Sequence, residues 1–255
     1  LAGAARRFLS ASLAIFGWIA AITALFFLVP LGMVYEGLWG QRAVRRLGRW
    51  SLVFVRLFFV GFLPLIRFYS LSETPAQWPT GPALLAANHR SWLDALLLMG
   101  TCPGIVVPVS TYRRLPLLGR MMRWLGCMPL DATDLEETAS TLRLLEQRLK
   151  AGAILAVFPE GRRLPNGKLG LFSDVFFRLA IDAGAPVYPL MIHCKPQLFG
   201  PQSPLSIGQR PPRFRFRLGG PAVPQPGDRA ADLARRTRKW LGTQLEPLDA
   251  EGHDS

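Results

Sequence analysis

Cysteine is scarce in this chain: Cys102, Cys127 and Cys194 stand far apart, with no Cys-x-x-Cys pair among them. An odd count at such spacing excludes a disulfide scaffold and fits no zinc template, so the thiols read as small reduced core residues. That use of cysteine is compatible with a cytoplasm-facing domain. Acidic residues are also few, 17 against 30 basic ones, and only Lys150, Lys168, Lys195 and Lys239 of the basic set are lysines. A net charge of +13 favours an anionic partner: nucleic acid, an anionic membrane face or a phosphate-bearing substrate. No nucleic-acid motif is visible and the aromatic residues lie mainly in apolar stretches, which tells against nucleic acid. There is no Gly-x-Ser-x-Gly elbow, and neither Cys102 nor Cys194 has a paired base in sequence. Internal repeats and low-complexity blocks are missing as well.

What the chain has in quantity is apolar sequence: half of its 255 residues are hydrophobic, enough for one sizeable domain with an appendage. Phe8 to Tyr35 carries no charge, and a bilayer needs roughly 20 apolar residues to be crossed. Pro30 and Gly32 are placed to kink or end that helix. Arg42, Arg45, Arg46 and Arg49 follow, then a second apolar stretch, Trp50 to Ile66, interrupted by Arg56. This second stretch reads as an interfacial segment or the return arm of a hairpin. The Arg cluster outweighs the Arg6–Arg7 pair on the other flank, which puts the rest of the chain on the cytoplasmic side of a membrane, a bacterial inner membrane. The expected division is a membrane segment over 1–71, an α/β domain over 72–246 and a loose polar tail over 247–255.

After the Pro-rich linker near residue 72, apolar runs alternate with helical patterns. Strands are expected at Leu84–Ala87, Ile105–Val109, Cys127–Leu130, Ala153–Phe158 and Pro186–Ile192. Helices are expected at about Ser91–Met99, from Pro116 to Trp124, from a Thr133 cap with Glu136 to Gly152, and over Asp174–Ala183. Leu135, Leu142, Leu145 and Leu149 mark the buried face of the third of these. Alternating strands and helices imply an α/β fold, a mostly parallel sheet flanked by helices, here preceded by N-terminal membrane-associated helices. Two prolines in Ala185-Pro-Val-Tyr-Pro-Leu190 suggest an edge position or a bulge. The alternation Arg213-Phe-Arg-Phe-Arg-Leu218 reads as a half-buried edge strand whose arginines form a solvated face or an anion site. A basic helix over Asp228–Leu245 closes the domain.

Of the three histidines, His253 lies in the tail and His193 ends a strand without an acidic neighbour. His89 differs. It follows a buried strand, precedes a helix, and has Asp94 five residues on in Asn88-His-Arg-Ser-Trp-Leu-Asp94. The carboxyl ends of parallel strands are where ligands meet such sheets, and a carboxylate can fix an imidazole's tautomer and stabilise its protonated form. Ser91-x-x-Asp94 is equally a capping box, so the segment alone leaves both readings open. A second turn, Phe158-Pro-Glu-Gly-Arg-Arg163, ends a buried strand with a carboxylate, a glycine and two guanidiniums. Gly161 allows close backbone approach, and an Arg there can grip phosphate; an ordinary turn with solvated charges has the same composition.

Taken together, these segments resemble one family. Asn88-His-Arg-Ser-Trp-Leu-Asp94 resembles the His-x4-Asp motif of the glycerolipid acyltransferases, the group that includes the 1-acylglycerol-3-phosphate acyltransferases. Phe158-Pro-Glu-Gly-Arg-Arg163 is similar to their Phe-Pro-Glu-Gly-Thr-Arg block, and Ala185-Pro-Val-Tyr-Pro189 to their late Val-Pro block. The resemblance covers about residues 80–220. It implies an enzyme of phospholipid biosynthesis that transfers a fatty acyl group from acyl-CoA or acyl carrier protein to a lysolipid hydroxyl, by default 1-acylglycerol-3-phosphate. His89 would be the general base, Asp94 its orienting partner, and Glu160, Gly161, Arg162 and Arg163 the residues at the acceptor head group. Membrane lipids are the implied partners, and neither a cofactor nor a metal is implied. The chain departs from the family at Ala132, where an Arg is usual, and at Phe172-Ser-Asp-Val175, where Phe-Lys-x-Gly is common. Those departures favour a different lysolipid or lipid-like acceptor as the alternative. A thioesterase and a non-catalytic, membrane-bound basic protein are the remaining competing readings.

Overall fold

The computed structural model describes residues 12, 15, 16, 19, 23, 29–65, 69–91, 93–107, 116–128, 130, 134–161, 163–164, 168–195 and 212–250. Most of the expected first span, Phe8–Tyr35, lies outside them. Residues 29–39 are helical through Pro30 and Gly32, and the turn comes at Gly40, whose φ is +55°. Gly32 is where Trp124 packs, since a Cβ there would stand 2.6 Å from its ring. Helix α1 then runs over Gln41–Val55, widens to a π-helical stretch at Arg56–Phe62 and finishes at Leu63–Leu65. Arg42–Leu65 is long and apolar enough to cross a membrane by length and composition.

Among the described residues, six strands form one sheet: β1 Ser70–Glu73, β2 Ala83–Ala87, β3 Ile105–Val107, β4 Ile154–Val157, β5 Val187–Lys195 and β6 Arg213–Leu218. Their order is β1-β6-β5-β2-β4-β3, with every pairing parallel except β5 with β6. Helices α2 Leu93–Thr101, α3 Pro116–Trp124, α4 Leu135–Lys150, α5 Val175–Asp182 and α6 Ala230–Ala250 lie among the described residues as well. One sheet face carries Leu85, Ala87, Ala156, Leu190, Ile192, Phe214 and Phe216 against α1 and α2. The other carries Leu84, Ala86, Leu155, Val157 and Val187 against α4, α5 and the start of α6. This is the expected α/β layering, with β2 buried along its whole length.

Several expectations are corrected. The first strand, at Ser70–Glu73, has no counterpart among the expected strands, and it pairs with β6. Strand β6 is therefore covered by β1 and is not an edge, although its alternation holds: Phe214 and Phe216 are buried, and Arg217 pairs with Glu73. Strand β5 is interior despite its prolines. Pro189 sits opposite the point where β6 ends; its carbonyl still accepts from Gly219 N (2.8 Å), and a Cβ on Gly219 would lie 2.6 Å from the proline ring. Of the expected strand Cys127–Leu130, the described residues show a bridge at Leu130 and a bond from Met128 N to the Val106 carbonyl at 3.3 Å. Thr133 lies outside the described residues, and the cap of α4 is Asp134, which accepts from Glu137 N at 2.9 Å. Leu145 and Leu149 are buried as expected, but Leu135, at the start of the helix, is 82% exposed. Helix α6 continues to Ala250, past the helix end expected at Leu245.

Candidate active site

Strands β2 and β4 are parallel neighbours, so the turns that follow them lie side by side at one end of the sheet. The turn after β2 is held at each of its residues. Asn88 is buried and bridges to β5 at two points, donating from Nδ2 to the Ile192 carbonyl and accepting Ile192 N at Oδ1, both 2.8 Å. His89 N donates to Glu160 Oε1 at 2.9 Å. Arg90 N and Ser91 N both donate to Asp94 Oδ2 at 2.7 Å.

That same oxygen lies 3.1 Å from His89 Nδ1. Asp94 is fully buried in the first turn of α2, and its Oδ1 has no hydrogen-bond partner among the described residues. The two sequence readings of Asp94 are therefore one arrangement. A single carboxylate oxygen caps the helix start and receives the imidazole. Because a carboxylate only accepts, the bond places the proton on Nδ1 and leaves Nε2 as the basic nitrogen. The His89 side chain is 21% exposed, and its ring stacks on Phe158 with centroids 4.3 Å apart. The histidine is thus oriented by a buried acid, backed by an apolar ring, and open on one side.

Glu160 is spent on backbone. Oε1 receives His89 N, and Oε2 receives Gly170 N at 2.7 Å. Burial raises its pKa, partly offset by the hydrogen bonds from Gly170 and His89. Gly161 has φ +68° with open space at its Cβ position, so the turn needs glycine for its backbone conformation rather than for close packing. Arg163 is half-buried in the following loop, and Arg162 lies outside the described residues. The structure thus brings His89, Asp94 and Glu160 together directly. Burial pushes the Cys102 and Cys127 thiols up to about 11 and about 12, which leaves them protonated and poor nucleophiles. No group of three His, Cys, Asp or Glu side chains suited to a metal ion occurs among the described residues.

Sequence reasoning passed over two contributors. His193 is buried and lies 3.3 Å through Nε2 from Asp249 Oδ1. Asp249 also receives Arg90 through both guanidinium Nη atoms at 2.7 Å each. Nothing local in the sequence marked either residue.

A family model described as Acyltransferase matches residues 66–193, which is half of the chain and includes both turns. The chain belongs to the Acyltransferase family. Among curated relatives, a probable 1-acyl-sn-glycerol-3-phosphate acyltransferase of Mycoplasma pneumoniae is 32% identical over 125 residues, 46% of this chain and 47% of that protein. A human 1-acyl-sn-glycerol-3-phosphate acyltransferase alpha is 28% identical over 187 residues, 68% of this chain and 62% of that protein. The chain spans about half the length of the first curated relatives it matches. The crystal structure of a 1-acyl-sn-glycerophosphate acyltransferase from Thermotoga maritima superposes with a TM-score of 0.68 at 21% identity, covering 96% of this chain and 98% of that one. That likeness supports the fold of this acyltransferase-family chain.

Proposed function

We propose that this acyltransferase-family chain transfers a fatty acyl group from a thioester donor, acyl-CoA or acyl carrier protein, to the hydroxyl of a lysolipid at a membrane surface. The 3.1 Å contact between His89 Nδ1 and Asp94 Oδ2, with the ring's other nitrogen unbonded by described residues, carries the reading. His89 Nε2 removes the proton from the acceptor hydroxyl as its oxygen attacks the thioester carbonyl. The tetrahedral adduct collapses, the carbon–sulfur bond breaks, and the proton passes from the imidazolium to the leaving thiolate. Asp94 stabilises the transient imidazolium and holds its orientation. Glu160 works by fixing His89 N and Gly170 N, so that the turns after β2 and β4 move as one body. Gly161, Arg162 and Arg163, next along the chain, are assigned to the acceptor head group, because guanidinium groups suit a phosphate.

The default acceptor is 1-acylglycerol-3-phosphate, giving phosphatidic acid, because the named relatives carry that substrate in their names. Ala132 and Ser173-Asp174-Val175 stand where cationic or permissive residues are usual, and they favour another lysolipid as the second reading. The exposed apolar face of α1 and the basic surplus support residence at an anionic membrane, with the sheet domain on the cytoplasmic side of a bacterial inner membrane. The test is product analysis. Purified protein receives labelled acyl thioester and a panel of lysolipids, and the labelled product identifies the acceptor. Labelled phosphatidic acid supports the default; label in another diacyl lipid selects the second reading. Free fatty acid alone refutes transfer.

A further inference from the structure

Pro247 stands inside α6, where it removes the N–H that would bond to the Thr243 carbonyl and crowds that carbonyl with its ring. Local preference would end the helix there, yet α6 continues to Ala250. The added turn is anchored from outside the helix. Leu248 is buried beside Met191, Leu241 and Leu245. Lys195 Nζ donates to the carbonyls of Leu248 (3.3 Å) and Asp249 (2.9 Å), a cation at the negative end of the helix. The Asp249 carboxylate takes both Nη atoms of Arg90 at 2.7 Å and lies 3.3 Å from His193 Nε2. Arg90, whose side chain is only 11% exposed, directly follows His89.

We propose that Asp249 is a positioning residue for the acyl transfer reaction: by clamping Arg90 it fixes the turn that aims His89. The inference rests on the functional reading above and adds a residue outside the matched segment 66–193. The link is short. Arg90 N bonds the same Asp94 oxygen that holds the imidazole, so any swing of Arg90 disturbs the His89–Asp94 contact. A bidentate carboxylate–guanidinium fork fixes both the position and the plane of its partner. With it, the turn is held on three sides: Asn88 to β5, His89 N to Glu160, and Arg90 to α6. Burial alone would raise the Asp249 carboxyl, but the hydrogen bonds and charge of Arg90 and His193 outweigh it and hold it well below the usual carboxylate range. The last turn of α6 survives its proline as the arm that carries this clamp.

Loss of the clamp leaves substrates able to bind while the base is misaimed, so kcat falls and the acceptor KM does not. The experiment compares Asp249→Asn, Arg90→Met, the double variant and Asp249→Glu, each as the full purified chain. The assay uses palmitoyl-CoA with 1-acylglycerol-3-phosphate, or with the lysolipid that the acceptor panel selects. Asp232→Asn, at an exposed ion pair of the same helix, serves as the control. The expected result is a loss of kcat of about tenfold in Asp249→Asn and in Arg90→Met. The double variant should be no worse than either single one, the acceptor KM should stay within about twofold, Asp249→Glu should recover part of the loss, and Asp232→Asn should match wild type. Additive losses, unchanged kcat in Asp249→Asn, or a fall that merely tracks the unfolded fraction overturns the clamp. A wild-type chain that transfers no acyl group overturns the functional reading instead.

Discussion

At the scale of single residues, one oxygen of Asp94 gathers the turn after β2. It receives the imidazole and two backbone N–H groups, so Asp94→Asn removes the charge that stabilises the imidazolium and leaves an amide where only acceptance is useful. Turnover in Asp94→Asn should fall by a factor on the order of 10² to 10⁴, with the protein still folded by circular dichroism. A folded variant at near wild-type rate would remove Asp94 from the mechanism. His89 and Asp94 were legible because both lie within six residues of one another at a strand end. Asp249 was not: it is 159 positions from Arg90, behind a proline that signals the end of a helix. Its carboxyl titrates below the ordinary aspartate value, so its stabilisation is complete above that value and is lost as the pH falls through the folded one. Urea unfolding curves of wild type and Asp249→Asn should therefore converge on acidification below about pH 4. A gap that widens there contradicts the pairing of the Asp249 carboxylate with Arg90 and His193.

Elements were legible where local pattern and tertiary context agree, and misread where pairing overrides pattern. The prolines of β5 argued for an edge position or a bulge, but only Pro189 lies within the strand, and it falls where β6 has already ended. Strand β1 is four residues of mixed polarity, too short to stand out from the linker beside it, and only its pairing with β6 makes it a strand. The bridge from Asn88 to Ile192 is another tertiary feature without a local signal, and it ties the turn after β2 to the sheet interior. Asn88→Ala deletes both bonds and strands a buried N–H and carbonyl, at a cost of about 2–3 kcal/mol in chemical denaturation. Gly219→Ala should also destabilise, because its Cβ would meet the Pro189 ring at 2.6 Å and Trp240 at 2.9 Å. Wild-type denaturation midpoints for both variants would show that these contacts do not set the strand ends.

Across the whole molecule, α1 has two unlike sides. Val55, Phe59 and Leu63 join the core, while Trp50, Leu57 and Leu65 remain 68–80% exposed. The sequence showed an apolar stretch interrupted by Arg56, but not that a sheet domain would occupy one side of it. The exposed side, with Arg42, Arg46 and Arg49 near it, suits an anionic bilayer. Trp50→Glu combined with Leu57→Glu should release the chain from phosphatidylglycerol vesicles in a sedimentation assay; retention of full binding would locate the membrane contact elsewhere. The central claim remains chemical, and single-turnover transfer tests it most directly. Wild-type protein and His89→Ala, each in excess over labelled acyl thioester and supplied with saturating lysolipid, are followed by the appearance of labelled diacyl lipid. Wild type should convert the label to lipid, and His89→Ala should do so at least about a hundredfold more slowly. Equal rates for the two proteins would contradict the account.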